Sequence, residues 1–289
     1  MTRRSRDLFG ILPFLVGGLI LPAPASAALE RTFLYFPETT LIMTPATLGL
    51  DYEEVLFNAA DGTRLHGWYL PGEKGRPLVL FCHGNAGNIS HRVDNLKQLR
   101  ARGYAVFIFD YRGYGQSEGE PNEAGTYSDA RGALDWLRHK GWTPERMIYF
   151  GRSLGGGIAL QLAVETPPAG LVLESAFTSI AEMGRAHYPL LWRVAGWLLS
   201  ARYANREKIA RLKTPLLLFH GEADQVVPFA MGRQLFDTAP QPKTFHPIAH
   251  AGHNNTYDLG GAAYWQEWRD FSRALGFPVT TTSSRPGSE

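Results

Sequence analysis

Met147-Ile-Tyr-Phe-Gly-Arg-Ser-Leu-Gly-Gly-Gly-Ile-Ala-Leu-Gln-Leu-Ala163 sets a short apolar run directly against a helical one, with Gly151-Arg152-Ser153-Leu154-Gly155 at the joint. The opening residues read as a strand buried on both faces, the closing ones as a helix, and nothing between them allows a gradual turn. Glycine on each side of the serine is what so sharp a bend requires, because no side chain then obstructs the backbone and the Ser153 hydroxyl is lifted above the sheet. The following helix aims unpaired N–H groups and its positive dipole end at the same point. A glycine-x-serine-x-glycine pattern alone is weak. Placed between a buried strand and a helix, it predicts a nucleophile with an oxyanion-binding amide, that of Leu154, beside it.

On either side the alternation repeats. Pro77-Leu-Val-Leu-Phe81, Tyr104-Ala-Val-Phe-Ile-Phe109, Gly170-Leu-Val-Leu173, Pro215-Leu-Leu-Leu-Phe219 and Lys243-Thr-Phe-His246 are apolar or β-branched runs, with helical candidates at 91–101, 125–139, 154–165, 228–237 and 262–275. The pattern predicts an α/β domain, a mostly parallel central sheet with helices on both faces. Val55-Leu-Phe57 and Leu65-His-Gly-Trp-Tyr-Leu70 flank Asp61-Gly62, which reads as a hairpin whose strands lie at the sheet edge. No internal repeat and no Gly/Ser linker divides the chain, so a single domain over residues 28–279 is expected. Residues 180–210 carry Tyr188, Leu190, Leu191, Trp192, Val194, Trp197, Leu198, Leu199 and Tyr203 in a stretch that looks helical. Apolar on more than one side, it fits a small cap over the strand ends or an ordinary core helix equally well. Residues 280–289 are polar and read as a disordered tail.

Of 289 residues, 44% are hydrophobic and 19% charged, and 29 basic residues stand against 27 acidic ones. A net charge of +2 supplies no basic surface for phosphate-dominated binding, so nucleic acid is not an expected partner. Cys82 is the only cysteine, which excludes an internal disulfide and a thiolate metal cluster. Arg3, Arg4 and Arg6 precede the apolar run Leu8–Leu21, and Ala25-Ser26-Ala27 follows it. That order is a secretory signal peptide over residues 1–27, which makes the protein exported, periplasmic or secreted. An uncleaved membrane anchor is the alternative, but Pro13, Pro22 and Pro24 leave less than the ~20 apolar residues that span a bilayer.

A serine hydroxyl is a poor nucleophile near neutral pH and needs a base that is itself held by an acid. After the strand ending at Phe219 comes His220-Gly221-Glu222-Ala223-Asp224-Gln225, and Asp224 is the expected acid, with Glu222 the alternative. After the last strand comes Ile248-Ala-His250-Ala-Gly-His253-Asn254-Asn255. His253, behind a flexible Gly252 and ahead of the final helix, is the expected base; His250 competes, and His246 lies on the strand. The spacing of these three histidines also suggests a metal site, but Pro247 interrupts any helical arrangement and no carboxylate or cysteine is near, so no metal or other cofactor is expected. Phe81-Cys82-His83-Gly84-Asn85-Ala86-Gly87-Asn88 is the loop for the second oxyanion amide, that of Asn85. Cys82 reads as a buried small hydrophobe and Asp110 as a support for that loop.

Together, His83-Gly-Asn-Ala-Gly-Asn88, Gly151-Arg-Ser-Leu-Gly155 and His220-Gly-Glu-Ala-Asp224 with Gly252-His253-Asn254 resemble the α/β-hydrolase superfamily, in particular its small α/β-hydrolase-domain and serine aminopeptidase-like serine hydrolases. The resemblance runs from about Glu38 to Phe277. It implies an α/β-hydrolase fold in which Ser153, Asp224 and His253 match nucleophile, acid and base, and Asn85 and Leu154 match the oxyanion donors. The implied reaction is cleavage of a carboxylic ester or thioester in a small-molecule or acylated substrate through an acyl-enzyme. A peptidase of the same fold, or a non-catalytic envelope binding protein that keeps it, would share these motifs. Residues 180–210 match no recognisable lid, so the resemblance does not carry a substrate with it.

Overall fold

The computed structural model describes residues 34–278. The expected signal or anchor at 1–27 and the tail at 280–289 lie outside the described residues. Eight strands form the main sheet: β1 (Glu53–Asn58), β2 (Arg64–Leu70), β3 (Leu78–Cys82), β4 (Ala105–Phe109), β5 (Met147–Arg152), β6 (Gly170–Glu174), β7 (Leu216–Gly221) and β8 (Lys243–Ile248). Their spatial order is β1-β2-β4-β3-β5-β6-β7-β8. β2 runs antiparallel to β1 and β4, and every other neighbouring pair is parallel. The hairpin expected around Asp61-Gly62 is present, but of its two strands β1 alone lies at the sheet edge. β2 is one strand in, because Gly67–Leu70 pairs with Val106–Phe109 of β4.

The helices are α1 (Val93–Arg100), α2 (Glu123–His139), α3 (Leu154–Glu165), α4 (Ile180–His187), α5 (Pro189–Ala195), α6 (Asn205–Ile209), α7 (Phe229–Thr238) and α8 (Thr256–Ala274). Period-two alternation sorts the strand side chains into two apolar layers. Leu78, Leu80, Phe107, Tyr149, Leu171 and Leu218 face one way, against α2, α3 and α7. Val79, Phe81, Ile108, Phe150, Val172 and Phe219 face the other, against α1 and α8. Both faces are covered, which is why these strands read as continuous apolar runs and not as alternating ones. The Phe81 and Phe150 rings stack at 4.5 Å across the β3–β5 pair and tie together the two strands that carry the site.

α8 begins at Thr256, six residues before the start expected from the sequence. Gly261 leaves helical geometry (φ 49°, ψ −129°), and helix lies on each side of that kink, so the stretch from 262 is only the second part of α8. The topology puts β3 between β4 and β5, so the chain leaves β3 toward β4 and leaves β5 toward β6 on the other side, and the loops beyond the carboxyl ends of these two paired strands diverge.

The bend after β5 is packed to contact. A Cβ on Gly155 would stand 2.0 Å from the Cys82 carbonyl oxygen, and one on Gly151 would stand 2.4 Å from the Gly155 carbonyl oxygen. Backbone lies on the far side in both cases and has nowhere to retreat. Gly155→Ala is therefore expected to cost about 3 kcal/mol or more, the upper range for overpacking, read as a lowered urea midpoint at unchanged slope.

Candidate active site

Ser153 sits at the bend with φ 52° and ψ −119°, a conformation that costs a non-glycine residue about 1–3 kcal/mol. Two backbone hydrogen bonds hold it there: its N–H donates to the Glu174 carbonyl (2.9 Å), and the Gly156 N–H donates to its own carbonyl (2.9 Å). His253 bridges the hydroxyl to the acid. Its Nε2 lies 3.0 Å from Ser153 Oγ and its Nδ1 lies 2.8 Å from Asp224 Oδ2. A carboxylate only accepts, so Nδ1 carries the proton and Nε2 is left to accept from the serine hydroxyl. The other Asp224 oxygen accepts from the amides of Val226 (2.9 Å) and Val227 (2.8 Å). Burial works to raise the Asp224 carboxyl, but the His253 hydrogen bond and charge, with the two amides, outweigh it and hold it below the usual carboxylate range.

The alternatives weighed in the sequence are placed elsewhere. Glu222 is exposed and offers its backbone N–H to Ile248, His246 lies 3.4 Å from Glu267, and His250 is exposed in a left-handed turn. Cys82 is fully buried, which pushes its thiol far above the ordinary range. Asp110 accepts from the Ile89 amide (2.9 Å) and stands 3.9 Å from His83, so it braces the loop after β3. His83, stacked on Tyr111, is held neutral by burial, its pKa brought down to about 3.

The loop after β3 runs alongside the serine: a Cβ on Gly84 would lie 3.6 Å from Ser153 Cβ. The Asn85 side chain is occupied, its Oδ1 accepting from the Tyr114 hydroxyl at 2.8 Å. Asn85 lines the same cavity as Ser153, and its backbone N–H is the donor that the sequence pattern expects to face a reacting oxygen. Leu154 is the first residue of α3, and the first N–H groups of a helix have no acceptor within it.

Sequence reasoning passed over Arg152 and Glu174. These two buried residues are Cα partners at the ends of β5 and β6, with Arg152 Nε 3.1 Å from Glu174 Oε1. Glu174 also accepts from the Thr256 and Tyr264 hydroxyls (2.5 Å each), and an Arg152 amino group donates to the His253 carbonyl at 3.1 Å. This clamp ties the strand that presents Ser153 to the loop that presents His253. Arg152→Met leaves the Glu174 charge buried without its cation and is expected to cost about 3–5 kcal/mol. The double variant Arg152→Met, Glu174→Met should recover part of that loss in urea denaturation, since no unpaired charge remains.

Ser153, Leu154, Asn85 and His253 line one cavity of about 1050 Å³. Its roof comes from the 180–199 segment, through Ile180, Met183, Leu191, Trp192 and Leu199. The outer side of the same segment is exposed at Leu190 (82%) and Val194 (70%), and α5 has no buried residue. The segment therefore turns one side to the cavity and leaves the other exposed.

A family model described as serine aminopeptidase S33 matches residues 73–209 and 204–259. The chain belongs to this family of α/β hydrolases. Rv2307c, an uncharacterized protein of Mycobacterium tuberculosis, is 39% identical over 271 residues, covering 93% of this chain and 95% of its own. Lysophosphatidylserine lipase ABHD12 of Danio rerio is 38% identical over 198 residues, covering 62% of this chain and 52% of its own. The esterase Pf2001 of Pyrococcus furiosus shares the fold, with a TM-score of 0.68 at 20% identity over 83% of this chain and 97% of its own. The α/β-hydrolase fold expected from the three motifs is therefore the fold of this chain, and the chain is a hydrolase.

Proposed function

We propose that this hydrolase cleaves carboxylic ester or thioester bonds of an acylated substrate through an acyl-enzyme on Ser153. The observation that carries the proposal is the 3.0 Å contact from His253 Nε2 to Ser153 Oγ, backed by Asp224 at 2.8 Å, on the floor of a mostly apolar cavity. Ser153 Oγ attacks the carbonyl carbon as its proton passes to His253 Nε2, and the Leu154 and Asn85 amides receive the developing oxyanion. His253 then gives that proton to the departing alkoxide or thiolate, and the bond to the leaving group breaks. A water, deprotonated by the same nitrogen, releases the acid and restores the serine.

A peptidase reading has the family's descriptive name in its favour. An amino-terminal ammonium calls for carboxylates, however, and among the described residues lining the cavity only Glu38 carries one, 3.5 Å from His91 Nε2. The lining supports an acyl group better than a peptide's charged terminus. A fluorophosphonate probe tests the proposal together with a panel of octanoyl esters, octanoyl thioesters and aminoacyl amides with free amino termini. Labelling of Ser153 and turnover of esters or thioesters are expected; an unlabelled Ser153, or turnover confined to amides of free amino termini, rejects the reading.

A further inference from the structure

The cavity has two chemically different walls. The roof and one side are apolar, through Phe177, Ile180, Met183, Leu191, Trp192 and Leu199. A second group of lining residues is polar: Arg92 just before α1, Asn95 in α1, Arg152 at the end of β5 and Tyr257 at the start of α8.

The two guanidinium groups among these residues differ. Arg152 is neutralised by Glu174. Arg92 has no carboxylate within ion-pair distance among the described residues; one of its amino groups donates to the Ala86 carbonyl, and its Nε is buried with no partner. Glu38 is paired with His91, and Asp110 behind the loop is committed to Ile89 and His66. Burial pulls the Arg92 pKa down to about 10, with the Arg152 charge adding to the same effect. A desolvated cation with an unused donor is costly to keep in a folded protein. The cost is offset when a ligand brings the missing anion, and a guanidinium suits phosphate and carboxylate oxygens best.

We propose that Arg92 recognises an anionic group, phosphate or carboxylate, on the leaving-group side of the substrate, while the apolar wall takes the acyl chain. This rests on the acyl-hydrolase reading above and narrows it to amphipathic, anionic acyl esters. It makes Arg92 a specificity-determining residue and leaves the chemistry to Ser153 and His253.

The test compares octanoyl glycerol, octanoyl glycerol phosphate and octanoyl glycolate. The wild-type chain should show a kcat/KM at least about tenfold higher for one or both anionic esters, and the one preferred identifies phosphate or carboxylate as the source. Arg92→Met should bring that ratio down to near one, mostly through KM, as expected for the loss of one charge-assisted contact, and Arg92→Lys should keep part of it. A wild-type ratio near one, or a ratio unchanged by Arg92→Met, overturns the proposal. Fluorophosphonate labelling of Arg92→Met reports whether that variant is folded. If it is not, calorimetry on Ser153→Ala decides: octyl phosphate or nonanoate bound at least tenfold tighter than octanol supports the assignment, and equal binding rejects it. Because this arm needs no turnover, an inactive wild-type chain would count against the hydrolase reading alone.

Discussion

Ser153→Ala is expected to lower ester hydrolysis by about a millionfold in kcat, down to what binding and the oxyanion amides supply unaided. The substitution removes one atom, Oγ, which makes the contact to His253 and takes no part in holding the bend. The backbone hydrogen bonds to Glu174 and from Gly156 stay in place. The urea midpoint should therefore move little while fluorophosphonate labelling vanishes. Retention of even a hundredth of wild-type turnover by Ser153→Ala would show that the nucleophile lies elsewhere.

Asp224→Asn carries the second-largest expected effect, about ten-thousandfold in kcat. The amides of Val226 and Val227 both donate to Asp224 Oδ1, so the asparagine must keep its carbonyl oxygen there and turn its NH2 toward His253. A donor then faces Nδ1, the ring proton moves to Nε2, and the nitrogen beside Ser153 can no longer accept. The loss should appear in kcat with KM little changed. The acid also links the site to pH. Its folded pKa lies below the unfolded value of ~4, so its contribution to stability is complete above that value and is lost as pH falls through the folded pKa. Below about pH 4 the wild-type chain should lose more stability than Asp224→Asn, and denaturation curves across pH 3–7 measure the difference.

The fold was legible where periodicity and a turn signal agree. Met147–Phe150 could only be a strand covered on both faces, and α3 starts and ends at the residues its sequence implies, Leu154 and Glu165. The approach of His253 to Ser153 was legible because each lies just beyond a strand that local pattern already defines. The clamp was not, since the Arg152–Glu174 contact depends on the β5–β6 register, a long-range quantity that no local window contains. β2 gave a misleading edge reading for the same reason: its partner, β4, enters the chain more than thirty residues later. Arg92 reads in sequence as one more basic residue at the start of an amphipathic helix, and only the folded cavity reveals that its charge goes uncompensated.

The ends of the segment over the cavity are pinned side by side. The Ile180 N–H donates to the Arg202 carbonyl at 2.9 Å, and the Arg206 N–H donates to the Thr178 carbonyl at 3.1 Å. Everything between leaves and returns through one narrow neck, while Ser153, Asp224 and His253 all stand on the other side of it. Between those anchors His187 Nε2 donates to the Val226 carbonyl at 2.7 Å, and the Val226 N–H donates to Asp224 Oδ1, so the covering segment leans on the very loop that steadies the acid and a change in its length would be felt there.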